Sequence, residues 1–158
     1  ASPMKDIVAS LRALPLSIIR YCAEEVERQQ DSPMAVGWMC EAWAFAYDQH
    51  AAELPLTTAL IECVGMLVHP EENPYGFRRV AVRVGDHLCP DWQEIPPRMA
   101  KWVAALNAVT PEEAYREFQE IHPFRDGNGR TGKILYNWLA GTLDAPKMPP
   151  NFFGGANP

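Results

Sequence analysis

The sequence lacks any apolar run close to the roughly 20 residues that a membrane-spanning helix needs, so no membrane association is expected. It also lacks a basic N-terminal patch followed by a continuous apolar stretch, so its start does not read as a secretory leader. Ala1-Ser2-Pro3 ahead of Met4 reads as an expression scar and is set aside. Positive charge is in deficit: 14 Lys and Arg stand against 20 Asp and Glu, a net charge of −6. A phosphate backbone calls for a basic face, so nucleic acid is not an expected partner, and phosphate chemistry must sit in a local site. Cysteine is sparse, and Cys22, Cys40, Cys63 and Cys89 include no C-x-x-C pair. That argues against a zinc site or a redox dithiol; the four read as reduced, mostly buried thiols of a cytoplasmic protein. Internal repeats and linkers are absent too. The 158 residues are expected to form one domain over 4–158, long enough for its own core, with 144–158 as an irregular tail that packs through Phe152 and Phe153.

What is present is mainly helical periodicity. Leu16, Ile19, Cys22 and Val26 recur at helical spacing from Pro15 to about Gln30. Ser32-Pro33 restarts a helix, with Ser32 as cap and Pro33 at the first helical position; it carries Met34, Trp38, Met39 and Trp43. Residues 56–68 form an apolar helix, broken by His69-Pro70 and Asn73-Pro74. Pro96-Pro97 opens a helix with Met99, Trp102, Val103 and Leu106 on one face. Thr110, Pro111 and Glu113 make a capping box for a helix through Tyr115 and Phe118 to about Ile121. A last apolar helix holds Ile134, Leu135, Trp138 and Leu139. One stretch changes period: Arg79, Ala81 and Arg83 alternate with Val80, Val82 and Val84, the signature of a half-buried strand. With a turn at Gly85-Asp86 and a return through His87 to Cys89, it predicts a small hairpin whose valine face packs on the domain while Arg79 and Arg83 point outward.

The segment that carries chemistry is His122-Pro123-Phe124-Arg125-Asp126-Gly127-Asn128-Gly129-Arg130-Thr131-Gly132-Lys133. Its glycines let backbone N–H groups converge without Cβ obstruction. A helix beginning near Asn128 or Gly129 turns its free N–H groups and positive dipole end to the loop, which makes an anion cradle. Arg130 and Lys133, three residues apart, are placed to reach one polyanion. Asp126 is a hard oxygen ligand suited to Mg²⁺ shared with phosphates. His122, whose imidazole ordinarily titrates near pH 6.5, is the natural general base.

This segment resembles the signature of Fic domains, H-P-F-x-[D/E]-G-N-G-R-x-x-R. The likeness extends over roughly residues 50–153, including the hairpin around Gly76 to Val84, which is similar to the flap of that family. The resemblance implies a helical bundle core with a small β-hairpin flap over the active site. It also implies a protein AMP-transferase that moves AMP from ATP to a Ser, Thr or Tyr hydroxyl of a target protein and releases pyrophosphate. His122 would take the hydroxyl proton, and Asp126 would hold Mg²⁺ bridging the α- and β-phosphates. Phe124, Gly127, Asn128, Gly129, Arg130 and Lys133 would contact the nucleotide. Arg78, Arg79, Val80 and Val82 of the flap would line up the target backbone as an added strand.

Two departures bear on this reading. The family usually has Arg where this chain has Lys133; Arg is a rigid bidentate fork, Lys a flexible point charge. In the family that Arg also pairs with an inhibitory Glu from a motif [S/T]-x-x-x-E-[G/N]. Thr58 to Cys63 comes nearest, but Cys63 fails the last position, so Glu62 reads as an ordinary surface carboxylate. The clamp is then either absent or supplied in trans by a partner protein, as in a toxin–antitoxin pair. A kinase of the related Doc type is disfavoured by Gly129, where such motifs carry Lys. A silent Fic fold used for binding, and transfer of UMP or phosphocholine, stay open as alternatives.

Overall fold

The computed structural model describes residues 14–152. Among them are six α-helices and one two-stranded antiparallel sheet: α1 (Leu16–Arg28), α2 (Met34–Ala51), α3 (Thr58–Val68), β1 (Arg83–Val84), β2 (His87–Leu88), α4 (Ile95–Ala104), α5 (Pro111–Ile121) and α6 (Asn128–Ala140). The fold is mainly α with a small hairpin, as expected. No described helix is long and apolar enough to cross a membrane.

Local chemistry sets most helix starts. The hydroxyl of Thr110 accepts from the Glu113 N–H at 3.1 Å, and the Glu113 carboxylate accepts from the Thr110 N–H at 3.2 Å, satisfying two donors that the helix cannot. Ser32 accepts from the Met34 N–H at 3.3 Å, which leaves Pro33 where its missing N–H costs nothing. Thr57 caps α3 through the Leu60 N–H at 3.2 Å, so that helix starts at Thr58, two residues later than its apolar run suggests.

The centre of the fold is α6, which packs against α2, α3 and α5. Every residue from Asn128 to Trp138 is buried, so this helix has no solvent face. Ile134, Leu135 and Trp138 join a core with Ile18, Met39, Trp43, Ile61, Val64, Met99, Phe118 and Ile121. The chain after α6 is pinned to it. The Asn137 carboxamide accepts from the Lys147 N–H at 2.7 Å and donates to the Lys147 carbonyl at 3.1 Å, while Trp43 Nε1 donates to the Leu143 carbonyl at 2.9 Å. The irregular tail is thus anchored by polar contacts. Phe152 lies against the Arg116 guanidinium, and Phe153 lies outside the described residues.

Three expectations need correction. In α1 the inward residues are Ile18, Cys22, Glu25 and Val26, whereas Leu16 is 68% exposed and Ile19 lies at the surface. The helix is rotated from its apolar stripe because a carboxylate, Glu25, is drawn into the interior by Lys133. In α2, likewise, Met34 is exposed and Ala35, Met39, Ala42, Trp43 and Ala46 face the core. The hairpin is also much shorter than the alternation predicts. Only Arg83–Val84 and His87–Leu88 pair, in the register Arg83↔Leu88 and Val84↔His87, with one further bond from the Cys89 N–H to the Val82 carbonyl at 3.0 Å. Val80, Val84 and Leu88 are exposed, so no valine face packs on the domain. Alternation reports a strand only where one face is buried, and nothing covers this one.

One close approach explains a glycine in the middle of a helix. A Cβ on Gly65 of α3 would run into the Phe124 ring, which is fully buried and packs obliquely on Phe77 at 5.4 Å between centroids. The ring that anchors the HPF segment therefore sits in a slot that Gly65 leaves open. Gly65→Ala is expected to displace it and to lower stability by about 1–3 kcal/mol, read as a drop in the urea midpoint at unchanged slope. An unchanged midpoint would show that the slot is slack.

Candidate active site

The loop from His122 to Gly127 joins α5 to α6, and its shape is held by two buried asparagines. Asn128 accepts from the Phe124 N–H at 2.8 Å and donates to the Phe124 carbonyl at 2.8 Å. Asn73 donates to the Asp126 carbonyl at 2.7 Å, accepts from the Asp126 N–H at 3.3 Å, and donates to the Gly65 carbonyl at 3.0 Å. Each carboxamide thus grips one loop residue at both backbone groups. Buried backbone polar groups must be paired, and here side chains do what a neighbouring strand would otherwise do. The Asn128 side chain is therefore spent on the loop itself. Gly127 is left-handed at φ 76, a conformation open to glycine without Cβ strain, and precedes the first helical bond, from the Thr131 N–H to the Gly127 carbonyl at 2.9 Å. The N–H groups of Asn128, Gly129 and Arg130 occupy the first turn, where an α-helix provides no carbonyl for them.

His122 caps the C-terminus of α5 in the left-handed region, at φ 52 and ψ 61, unusual for a residue with a Cβ. Its N–H bonds the Phe118 carbonyl at 2.9 Å. The imidazole is largely buried, and its Nδ1 has no hydrogen-bond partner. Burial first, then the positive charge of Arg78, push its pKa from the ordinary 6.5 down to about 4; His87 adds to this, while the Gln119 backbone and Asp126 oppose it. The ring is neutral, and so able to accept a proton, across the whole physiological range.

The expected pair of open cations is not found. Arg130 is 1% exposed; its Nη1 lies 2.9 Å from Asp31 Oδ2 and its Nη2 lies 3.9 Å from Asp126 Oδ1. Lys133 is fully enclosed, and its Nζ meets Glu25 Oε1 at 2.5 Å. Burial pushes the Lys133 pKa down, and Glu25 works against that. Glu25 also receives Gln29 Nε2 at 2.8 Å and sits 2.9 Å from Arg28. Two features of the helix defeat the expectation: α6 has no open face, and α1 and the α1–α2 turn supply carboxylates. The acid that meets Lys133 is thus Glu25 of this chain; Glu62 instead lies beside Gly76 at the base of the hairpin.

Arg78 also departs from expectation. It is 4% exposed and presents nothing to a target; Arg79, Val80 and Arg83 are exposed and Val82 is half-buried. Phe124 is a buried anchor. Spacing gave no sign of three residues that complete the site: Asn73, Asp31 and His69. His69 and Asn73 read only as part of the break after the third helix, and Asp31 had no assigned role. His69 accepts at Nδ1 from the Glu72 N–H at 3.3 Å and packs obliquely on Trp38 at 5.1 Å between centroids. Its Nε2 lies 3.5 Å from Asp126 Oδ2. One donor atom from each of Asp31, His69 and Asp126 falls within 4.8 Å of the others. With Nδ1 accepting, His69 Nε2 carries the ring proton and faces Asp126 as a donor; the oxygen ligands a hard divalent cation prefers are then the carboxylates, and Asp126 Oδ1 accepts from the Gly127 N–H at 2.7 Å.

Comparison with known proteins gives a consistent picture. The profile of the Fic/DOC family matches residues 56–140. Protein adenylyltransferase Fic of Culex quinquefasciatus is 38% identical over 72 residues, covering 40% of this chain and 14% of its own length. The protein of the same name from Drosophila melanogaster is 36% identical over 72 residues, covering 40% and 15%. This chain thus spans about one seventh of the length of these relatives. Among solved structures, IbpAFic2 covalently tethered to Cdc42 superposes with a TM-score of 0.62 at 19% identity, over 90% of this chain and 54% of that one. A Fic family protein from Desulfovibrio desulfuricans gives 0.57 at 19% identity, over 89% and 58%.

The Glu25–Lys133 pair makes a sharp prediction. Removing Glu25 takes the paired carboxylate from a buried ammonium, so Glu25→Ala is expected to cost about 3–5 kcal/mol in urea unfolding. Replacing both, Glu25→Leu with Lys133→Met, should recover most of that, because an apolar pair carries no desolvation penalty. A single-variant loss below about 1 kcal/mol, typical of exposed pairs, would mean that the pair is solvated.

Proposed function

The chain belongs to the Fic/DOC family, and on that premise we propose that it is a protein adenylyltransferase using ATP. The observation that carries this reading is the His122–Arg130 segment. A base held neutral by burial, a carboxylate at Asp126 and the N-terminus of α6 all lie on one loop made rigid by Asn73 and Asn128. The relatives named protein adenylyltransferase match this chain over part of its length, which supports the same chemistry.

In this mechanism the nucleotide phosphates lie at the α6 N-terminus, where unpaired N–H groups and the helix dipole favour negative charge. Arg130 adds charge there, and its buried Nε, which has no hydrogen-bond partner, is a donor left for an anion. His122 accepts the proton of a target hydroxyl; the oxygen bonds to the α-phosphorus, the bond to the β-phosphate bridging oxygen breaks, and pyrophosphate leaves. Such a transfer depends on positioning and charge neutralisation. Mg²⁺ arriving with ATP would be held by the Asp126 carboxylate and would offset phosphate charge. The exposed backbone beside β1 offers the target an edge for strand addition. The solved relative tethered to Cdc42 supports a protein as acceptor.

A second reading is favoured by one observation: Arg130 and Lys133 are both met by carboxylates of this chain, as they would be in a weakly active or silent fold used for binding. Incubation of the protein with a lysate and either α-labelled or γ-labelled ATP separates the possibilities. Transfer of the α-label to protein bands is expected, and it should fall on the order of 10²–10⁴-fold in His122→Ala while ATP binding persists. Label from the γ-position alone would indicate a kinase, and no label at all the silent fold. A pH profile adds an independent check: with a base depressed to about 4, the acid limb of kcat/KM should fall well below the 6.5 of an ordinary imidazole. An inflection near 6.5 would remove His122 from the role.

A further inference from the structure

Arg78 is a buried guanidinium in no close ion pair among the described residues; Asp91 and Cys89 act on it only from further off. A buried charge without a close ion-pair partner is costly, so its hydrogen-bond partners matter. They are all carbonyls. Nε donates to His122 at 2.8 Å, Nη1 to Val80 at 2.9 Å, and Nη2 to Pro90 at 2.6 Å and Ile121 at 3.4 Å. The Arg78 backbone N–H adds a bond to the Pro123 carbonyl at 2.9 Å. Ile121 and His122 lie at the C-terminal end of α5, the negative end of that helix dipole, which is where a cation is stabilised. Val80 and Pro90 are the lead-in to β1 and the exit from β2. One rigid fork therefore spans the two ends of the hairpin on one side and the strained His122 backbone on the other.

We propose that Arg78 is a positioning residue that couples the hairpin to His122, so that seating a target strand on the hairpin and aligning the imidazole are a single event. This rests on the reading of His122 as the base. His122 occupies a left-handed conformation that is strained for a non-glycine residue and persists only when its surroundings over-determine it. The Phe118 carbonyl on its N–H and Arg78 on its carbonyl supply that constraint. Because the same guanidinium holds Val80 and Pro90, displacement of the hairpin pulls on the peptide plane that carries the imidazole. The field at the ring has the same origin: Arg78 and the hairpin residue His87 disfavour its protonation, while Asp126 and the Gln119 backbone favour it. Arg fits this task and Lys does not, since only the planar fork reaches four carbonyls at once.

The test uses the whole chain with Arg78→Lys, Arg78→Met and, away from the guanidinium, Val82→Pro, which bends the hairpin and leaves Arg78 in place. The His122 ring is followed by NMR through a pH titration, alongside ATP affinity and transfer rates. Arg78→Met is expected to raise the His122 pKa towards 6.5, whereas Arg78→Lys, which keeps the charge, holds it low. Both should lose on the order of 10²-fold in kcat for transfer, the cost of a misplacement of about 1 Å, at unchanged ATP affinity. Val82→Pro should move the His122 ring signals although it touches neither His122 nor Arg78; this arm stands even if the Arg78 variants do not fold. Ring signals indifferent to Val82→Pro, or a kcat that survives Arg78→Lys, would overturn the coupling. Ring signals that respond in a protein that transfers nothing would leave the coupling intact and reject the adenylyltransferase reading instead.

Discussion

The structure depends on burying a polar helix. With no solvent face from Asn128 to Trp138, α6 takes a guanidinium, an ammonium and two carboxamides into the interior, and each needs a partner if the desolvation cost is not to unfold the domain. Glu25 answers Lys133, Asp31 answers Arg130, Phe124 answers Asn128, and Asn137 ties down the tail. The rotation of α1 away from its apolar stripe follows from the same demand. An ion pair of this kind adds little net stability over an apolar pair, but losing half of it is severe, so α1 is committed to one orientation.

The same helix builds the site. Its N-terminus is the anion cradle, and the loop that feeds it is held by carboxamides rather than by a sheet. Asn128 reaches back from α6, and Asn73 reaches across from the segment after α3. Phe124 is seated in the gap left by Gly65, and Gly127 supplies the left-handed step into the helix. A loop gripped at the Phe124 and Asp126 backbones presents its base and its carboxylate with little reorganisation when substrate arrives, which is what electrostatic catalysis requires. The hairpin is the opposite: short, exposed on both faces, and joined to the loop through Arg78. Rigidity at the phosphate end and exposure at the target end suit a site with one small-molecule substrate and one protein substrate.

The sequence by itself determined the mainly helical class, the helix caps at Ser32 and Thr110, the start of α6 to within a residue (Asn128 or Gly129), and the loop that gathers His122, Asp126 and Arg130. These are legible because they are local: a cap reads its own third residue, and the motif residues fall within one loop and one helical turn. The tertiary structure alone decided what each charge faces. Glu25 meets Lys133 across 108 positions, and Asn73 grips Asp126 across 53; no periodicity encodes such contacts. The resemblance put Arg78 among the flap residues that line up a target, and only folding showed it buried among carbonyls. The valine alternation suggested a long packed strand and produced a two-residue one, because alternation records only what a strand could bury. Whether another layer exists to bury it against is a property of the packed whole.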